Sequence, residues 1–131
     1  MEDSSCSRMT LKNETPGDSA AKKIARYQQT AAIPLLIAVD EEGGTVTRVS
    51  RFPYYRSSRF SSPRDLFNQG GIDAILAEET EKCQLLSSLG VNVNLGPVCD
   101  ITTDPAAFMY PRTWDRTQRP LPSLFLKWLT L

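Results

Sequence analysis

The sequence predicts an α/β fold built on a parallel sheet, and three observations carry that prediction. Leu35-Leu36-Ile37-Ala38-Val39 is a continuous rather than alternating apolar run, the pattern of a strand covered on both faces. Ile72, Ile75, Leu76, Glu79, Cys83, Leu86 and Leu89 keep the spacing of a helix with one mostly apolar face. Val91-Asn92-Val93-Asn94-Leu95 follows as a second short strand, so strand, helix and strand alternate as in βα repeats.

Taken in order, residues 1–15 are polar and patternless and form a loose tail. Pro16-Gly17-Asp18-Ser19 marks a helix entrance, where Asp18 or Ser19 accepts the orphan amide hydrogens of the first turn. Ile24, Tyr27, Gln28 and Ala31 share one stripe, which places a helix from about Ser19 to Thr30, stopped by Pro34. The first strand ends abruptly at Asp40-Glu41-Glu42-Gly43-Gly44. Residues 45–64 read as a long arginine-rich connection in which Pro53 and Pro63 break any long element. Gly70-Gly71 precede the second helix, Asp73 caps it, and Gly90 sits where a left-handed C-terminal cap is wanted. Gly96-Pro97 ends the second strand. From Trp114 the character changes: Leu124, Phe125, Leu126, Trp128, Leu129 and Leu131 need cover, as a docked short helix or as an exposed sticky end. The chain therefore divides into a tail at 1–15, one domain at 16–113 and a divergent hydrophobic tail at 114–131, with no internal repeat.

Composition narrows the function. The 131 residues make one domain of ordinary globular makeup, 40% apolar and 23% charged. Fifteen basic and fifteen acidic side chains cancel, leaving no global field to attract nucleic acid or an anionic membrane. The longest apolar run is five residues, against about 20 for a membrane span. The polar, acidic N-terminus lacks the pattern of a signal peptide, so the expected location is the cytoplasm. Cys6, Cys83 and Cys99 share no C-x-x-C spacing and read as free thiols, Cys83 as a small buried hydrophobe on its helix. Histidine is absent, which removes Ser–His and Cys–His mechanisms and the usual catalytic zinc sites. Chemistry must run on carboxylates, arginines, hydroxyls or lysines.

In parallel α/β folds the functional side chains gather past the carboxyl ends of the strands. Both strand ends here carry acids: Asp40, Glu41 and Glu42 after the first, Asp100 and then Asp104 after the second. Arg48 and Arg112 follow them, and carboxylates converging with guanidinium forks suit a polyhydroxylated ligand. Plainer readings stand beside this one: a solvated acidic turn at 40–42, Asp100 as the cap of a turn, and Arg112 as a surface arginine. Asp40, Glu42, Asp100 and Asp104 offer oxygen ligands for Mg²⁺ or Ca²⁺, but their spacing matches no EF-hand loop, and no metal is expected. Arg48, Arg51, Phe52, Tyr54, Tyr55, Arg56, Arg59, Phe60 and Arg64 mix cations with aromatics as a single-stranded nucleic-acid surface does. The balanced charge counts against that, and a long connection without a nucleic-acid partner is the expectation.

Val39-Asp40-Glu41-Glu42-Gly43-Gly44-Thr45-Val46-Thr47-Arg48 resembles the V-D-x-E-G-G-x-V-x-R signature of glycoside hydrolase family 3. Asn94-Leu95-Gly96-Pro97-Val98-Cys99-Asp100 resembles that family's N-x-x-P-V-x-D strand end, and Arg112-Thr113-Trp114 its arginine followed by a small and an aromatic residue. The likeness runs from about Pro16 to Thr113. It implies part of a (β/α)₈ barrel and a substrate among β-linked glycosides, with N-acetylglucosaminides favoured by the likeness to the β-N-acetylhexosaminidase branch. By that resemblance Asp40 binds hydroxyls of the sugar, Arg48 and Arg112 line the same pocket, Asp100 holds the loop or pocket floor, and Gly43 and Gly44 let the backbone turn beneath the sugar. It implies no cofactor.

The same resemblance defines what this stretch lacks. The family's K-H-x-P-G-H-G motif and the strand that supplies its nucleophilic aspartate come later, and a chain without histidine holds neither that motif nor an Asp–His acid/base pair. The isolated chain is therefore expected to bind sugar without hydrolysing glycosides, as a truncated piece of such an enzyme; a small carbohydrate-binding or interaction module and a non-functional truncated product are the alternatives. Parallel strands without barrel closure leave open edges, so self-association is also expected.

Overall fold

A computed structural model of the chain describes residues 20–98 and 102–113. Helix α1, Ala20–Thr30, leads to strand β1, Ala38–Val39. Helix α2, Pro63–Ser88, leads to strand β2, Val93–Asn94, and a single 3₁₀ turn, Tyr110–Arg112, follows. The strands pair in parallel, Ala38 against Val93 and Val39 against Asn94, so the expected α/β arrangement is present as a β1–α2–β2 unit. The tails expected at 1–15 and 114–131 lie outside the described residues.

α1 occupies the expected span, with Ala20 and Ile24 buried. Tyr27, placed on the same stripe by the sequence, is half exposed. Gln28 turns to the chain beyond the helix: its carboxamide accepts from the Leu35 N–H and donates to the Leu35 carbonyl, each at 2.9 Å.

The strands are shorter than their apolar runs. The expected strand over Leu35–Val39, covered on both faces, is paired at Ala38–Val39, and Leu36 is 83% exposed. Among the described residues β1 has one neighbouring strand, and side-chain carboxamides take over where the backbone ladder stops. Asn92 accepts from the Ile37 N–H at 2.8 Å and donates to the Leu35 carbonyl at 3.0 Å. Asn94 does the same for Glu41 on the far side of β1, accepting at 3.0 Å and donating at 3.1 Å.

α2 begins earlier than the pattern suggests. Pro63 opens the helix rather than breaking it, at a position where the missing N–H has no partner to lose. The Ser62 hydroxyl accepts from the Asp65 N–H at 3.2 Å and donates to the Asp65 carboxylate at 2.7 Å. Gly70 and Gly71 lie inside the helix as a kink instead of before it. At the other end the Gly90 and Val91 amides bond back to Ser87 and Leu86 at 2.9 and 3.0 Å, closing a Schellman motif.

The buried stripe of α2 runs Ile75, Glu79, Lys82, Leu86, continuing to Leu89. Cys83 is exposed, correcting the expectation of a buried thiol. Lys82 takes the inward position because it meets polar partners there. Val49, Leu86 and Leu89 form the core cluster, with Ala21, Val39, Tyr55, Leu85 and Val91 packed against it. No helix among the described residues is long and apolar enough to cross a membrane.

Candidate functional site

The turn after β1 gives each of its three acids a different task. Asp40 remains at the surface, its carboxylate 3.9 Å from the Arg48 guanidinium, with both side chains about half exposed. Glu41 is fully buried. Its Oε2 accepts from the Arg48 and Val49 amides, each at 2.7 Å, and its Oε1 from the Ser50 amide at 3.2 Å and the Ser50 hydroxyl. One carboxylate thereby fixes three successive amides, which turns Val49 into the core and holds Arg48 beside Asp40. Glu42 is 4% exposed and grips Arg112 with both oxygens, at 2.8 Å from Nε and 2.6 Å from Nη2. Such a two-pronged contact fixes the plane of the guanidinium as well as its position.

Gly43 and Gly44 fold this turn against the segment before α2. Gly43 has φ 104°, and a Cβ there would lie 2.0 Å from the Ser61 carbonyl oxygen. The Gly44 amide donates to the Phe60 carbonyl at 2.8 Å. The glycines therefore serve close backbone packing against Phe60–Ser62. Gly43→Ala is expected to destabilise the chain by more than the ~1–3 kcal/mol that positive-φ strain alone carries, because the opposing atom is backbone. Urea unfolding measures this, and a loss below about 1 kcal/mol would show that the turn relaxes freely.

Helix α2 braces the turn from below. Lys82, with no exposed surface, donates to the Glu42 carbonyl at 3.1 Å and forms an ion pair with Glu79. Glu79 Oε2 is buried without a hydrogen-bond partner. Glu78 accepts from the Ser61 amide at 2.6 Å, and Arg56 pairs with Glu81 at 2.9 Å. Burial pushes the Glu79 carboxyl above its usual range; the Lys82 ammonium opposes the rise and Glu78 adds to it. The folded chain then holds this proton to higher pH than the unfolded chain does. This group's contribution to stability is present below the ordinary carboxylate range and declines as pH rises through it. The difference in unfolding free energy between the unaltered chain and Glu79→Gln is therefore expected to shift against the unaltered chain as pH rises through and above the ordinary carboxylate range; a difference that does not change with pH would refute the assignment.

Arg112 reaches Glu42 from the loop over residues 102–113, and Arg64 anchors that loop. The Arg64 side chain, 6% exposed, donates to the Tyr110 carbonyl at 2.7 Å, the Thr102 carbonyl at 3.1 Å and Thr113 Oγ1 at 3.2 Å. Its guanidinium stacks on Tyr110, 3.7 Å from the ring centre.

Of the residues expected at the site, Asp40 and Arg48 stand together, and Arg112 pairs with Glu42 two residues along. Asp40 and Glu42 are two residues apart, so their backbones lie within about 7 Å, while the Asp40 side chain stays at the surface and that of Glu42 is buried. Asp100 lies outside the described residues. Two arginines from the expected cation–aromatic stretch are drawn into the fold, Arg64 at the loop anchor and Arg56 onto Phe60, Ser58 and Glu81. Among the described residues no cluster of three or more His, Cys, Asp or Glu side chains is placed to hold a metal ion. Sequence reading missed the fixing roles of Glu41, Glu42, Glu79, Lys82 and Arg64. The one legible signal was the charged pair at positions 79 and 82 inside an apolar helical stripe.

The sequence matches the family described as "Glycosyl hydrolase family 3 N terminal domain" over residues 8–122. It is 34% identical over 92 residues to a protein of Pseudoalteromonas piscicida named beta-hexosaminidase A, covering 65% of this chain and 14% of that protein. No solved structure matches.

Proposed function

Because the chain belongs to glycosyl hydrolase family 3, over that family's N-terminal domain, we propose that it holds the sugar of a β-linked glycoside at the carboxyl ends of β1 and β2, and that the sugar is N-acetylglucosamine. The similarity to a beta-hexosaminidase favours that sugar. In this reading the β1–α2–β2 unit is one repeat of a (β/α)₈ barrel, and Asp100, outside the described residues, is assigned by the family resemblance to hold the loop or the pocket floor.

The Asp40–Arg48 pair carries the proposal: a carboxylate and a guanidinium in loose contact, half exposed, directly after a parallel strand. Asp40 accepts protons from sugar hydroxyls, and Arg48 donates to sugar oxygens. Arg112, its charge offset by Glu42, suits a neutral polyol better than an anion. Retaining hydrolysis takes two carboxyl groups about 5 Å apart, one as nucleophile and one as proton donor. Glu41 is occupied by backbone amides and Glu42 by Arg112, so this chain's role is to hold the sugar, with the nucleophile and acid/base supplied by later strands of a complete enzyme.

Titrating N-acetylglucosamine into the purified chain, followed by amide chemical shifts, tests the proposal. Saturable shifts centred on residues 40–48 are expected. Asp40→Ala is expected to weaken binding at least about tenfold, the scale of one charge-assisted hydrogen bond. No saturable shifts in the unaltered chain, or unchanged affinity in Asp40→Ala, would overturn it.

A further inference from the structure

Phe108 is 81% exposed, a large aromatic ring left in solvent although burying it would contribute about 1.5–3 kcal/mol. Tight turns set its backbone. The Ala107 amide bonds to the Asp104 carbonyl at 3.0 Å, the Ala106 amide to the Asp104 carboxylate at 2.9 Å, and the Tyr110 amide to the Ala107 carbonyl at 2.9 Å. Arg64 ties the loop to α2 at Thr102 and Tyr110. Phe108 is thus presented by a fixed loop, and its ring centre lies 5.5 Å from the Arg112 guanidinium carbon. That guanidinium is itself locked by Glu42 and contacts Met109 Sδ at 3.2 Å.

Resting on the sugar-holding reading above, we infer that Phe108 is a specificity-determining wall of this site, against which the group β-linked to the sugar stacks. Among the described residues the ring's cation neighbour is Arg112, and most of its surface is exposed. Aromatic faces attract other rings and the C–H faces of pyranoses through dispersion and apolar contact. Arg112 fixes where the polar part of a ligand ends, and Phe108 stands beside that point. The wall should therefore act on the substituent and leave the sugar's own affinity alone.

The test compares N-acetylglucosamine with 4-nitrophenyl 1-thio-N-acetyl-β-glucosaminide, whose sulfur linkage resists cleavage, on the unaltered chain and on Phe108→Ala and Phe108→Trp. The aryl compound is expected to bind the unaltered chain about three- to tenfold more tightly than the free sugar, the range of one aromatic contact. Phe108→Ala should erase that preference while keeping free-sugar affinity within about twofold, and Phe108→Trp should retain it. If the free sugar binds but no aryl preference exists, or if Phe108→Ala keeps the preference, the inference falls and the sugar-holding reading stands. If neither compound binds the unaltered chain, both fall. Amide exchange of the Phe108→Ala loop, unchanged from the unaltered chain, separates lost stacking from a collapsed loop.

Discussion

Replacing Lys82 with alanine is expected to destabilise the chain by about 3–5 kcal/mol, the usual result of removing one partner from a buried ion pair. The whole stability of a domain this size is about 5–15 kcal/mol, so the variant should sit near the edge of folding. Alanine leaves Glu79 facing an apolar interior with neither oxygen paired, and removes the donor on the Glu42 carbonyl. The double variant Lys82→Met with Glu79→Leu removes both charges at similar volume and should recover most of the loss. Urea unfolding of the single and double variants decides the matter. A cost below about 1 kcal/mol for Lys82→Ala, or no recovery in the double variant, would mean that the pair is not the brace its position suggests.

The second large effect belongs to Glu41. Glu41→Ala strips partners from three consecutive buried or half-buried amides and from the Ser50 hydroxyl. Each orphaned buried group costs about 1–3 kcal/mol, and water entering the gap returns part of that, so a loss of about 3 kcal/mol or more is expected. Glu41→Gln keeps one acceptor but turns an NH₂ toward donors, and should fall between alanine and the unaltered chain. Amide exchange at Arg48, Val49 and Ser50 reports the mechanism: protection there should collapse in Glu41→Ala while the α2 amides from Ile75 to Leu86 retain theirs. Uniform loss of protection would indicate that Glu41 supports the whole domain rather than this turn.

These two residues also mark how far the sequence could be read. The helices were legible because their apolar spacing and caps are local: α1 is found at Ala20–Thr30 and the closing Gly90 at φ 85°. The beginning of α2 was less so, because Pro63 serves equally as a breaker or as a first helical residue, and Ser62 with Asp65 decides between them. That Asp40 and Arg48 stand near each other was expected from their motif spacing. Glu41 and Glu42 were not, since a run of three acids looks like a solvated turn until the amides of 48–50 and the side chain of Arg112 come to meet it. Cys83 and Lys82 are adjacent in sequence, and hydrophobicity alone points the cysteine inward. The partners that reverse the choice are the buried Glu79 carboxylate and the backbone carbonyl of Glu42, 40 residues earlier.

The carboxamides flanking β1 have a consequence for how the two strands find each other. A primary amide carries the same donor and acceptor as a peptide unit, so Asn92 and Asn94 read the neighbouring chain like teeth of a key. Sliding β2 by a single residue would bring valine or leucine to the two slots, Val91 and Val93 one way or Val93 and Leu95 the other, and leave Leu35, Ile37 and Glu41 with broken contacts. Alignment is thus enforced by polar complementarity at both ends of a pairing two residues long, where so short an overlap offers hydrophobic matching little to discriminate. Exchanging either asparagine for aspartate would keep the shape yet jam the lock, since a second acceptor would confront the carbonyl it now serves.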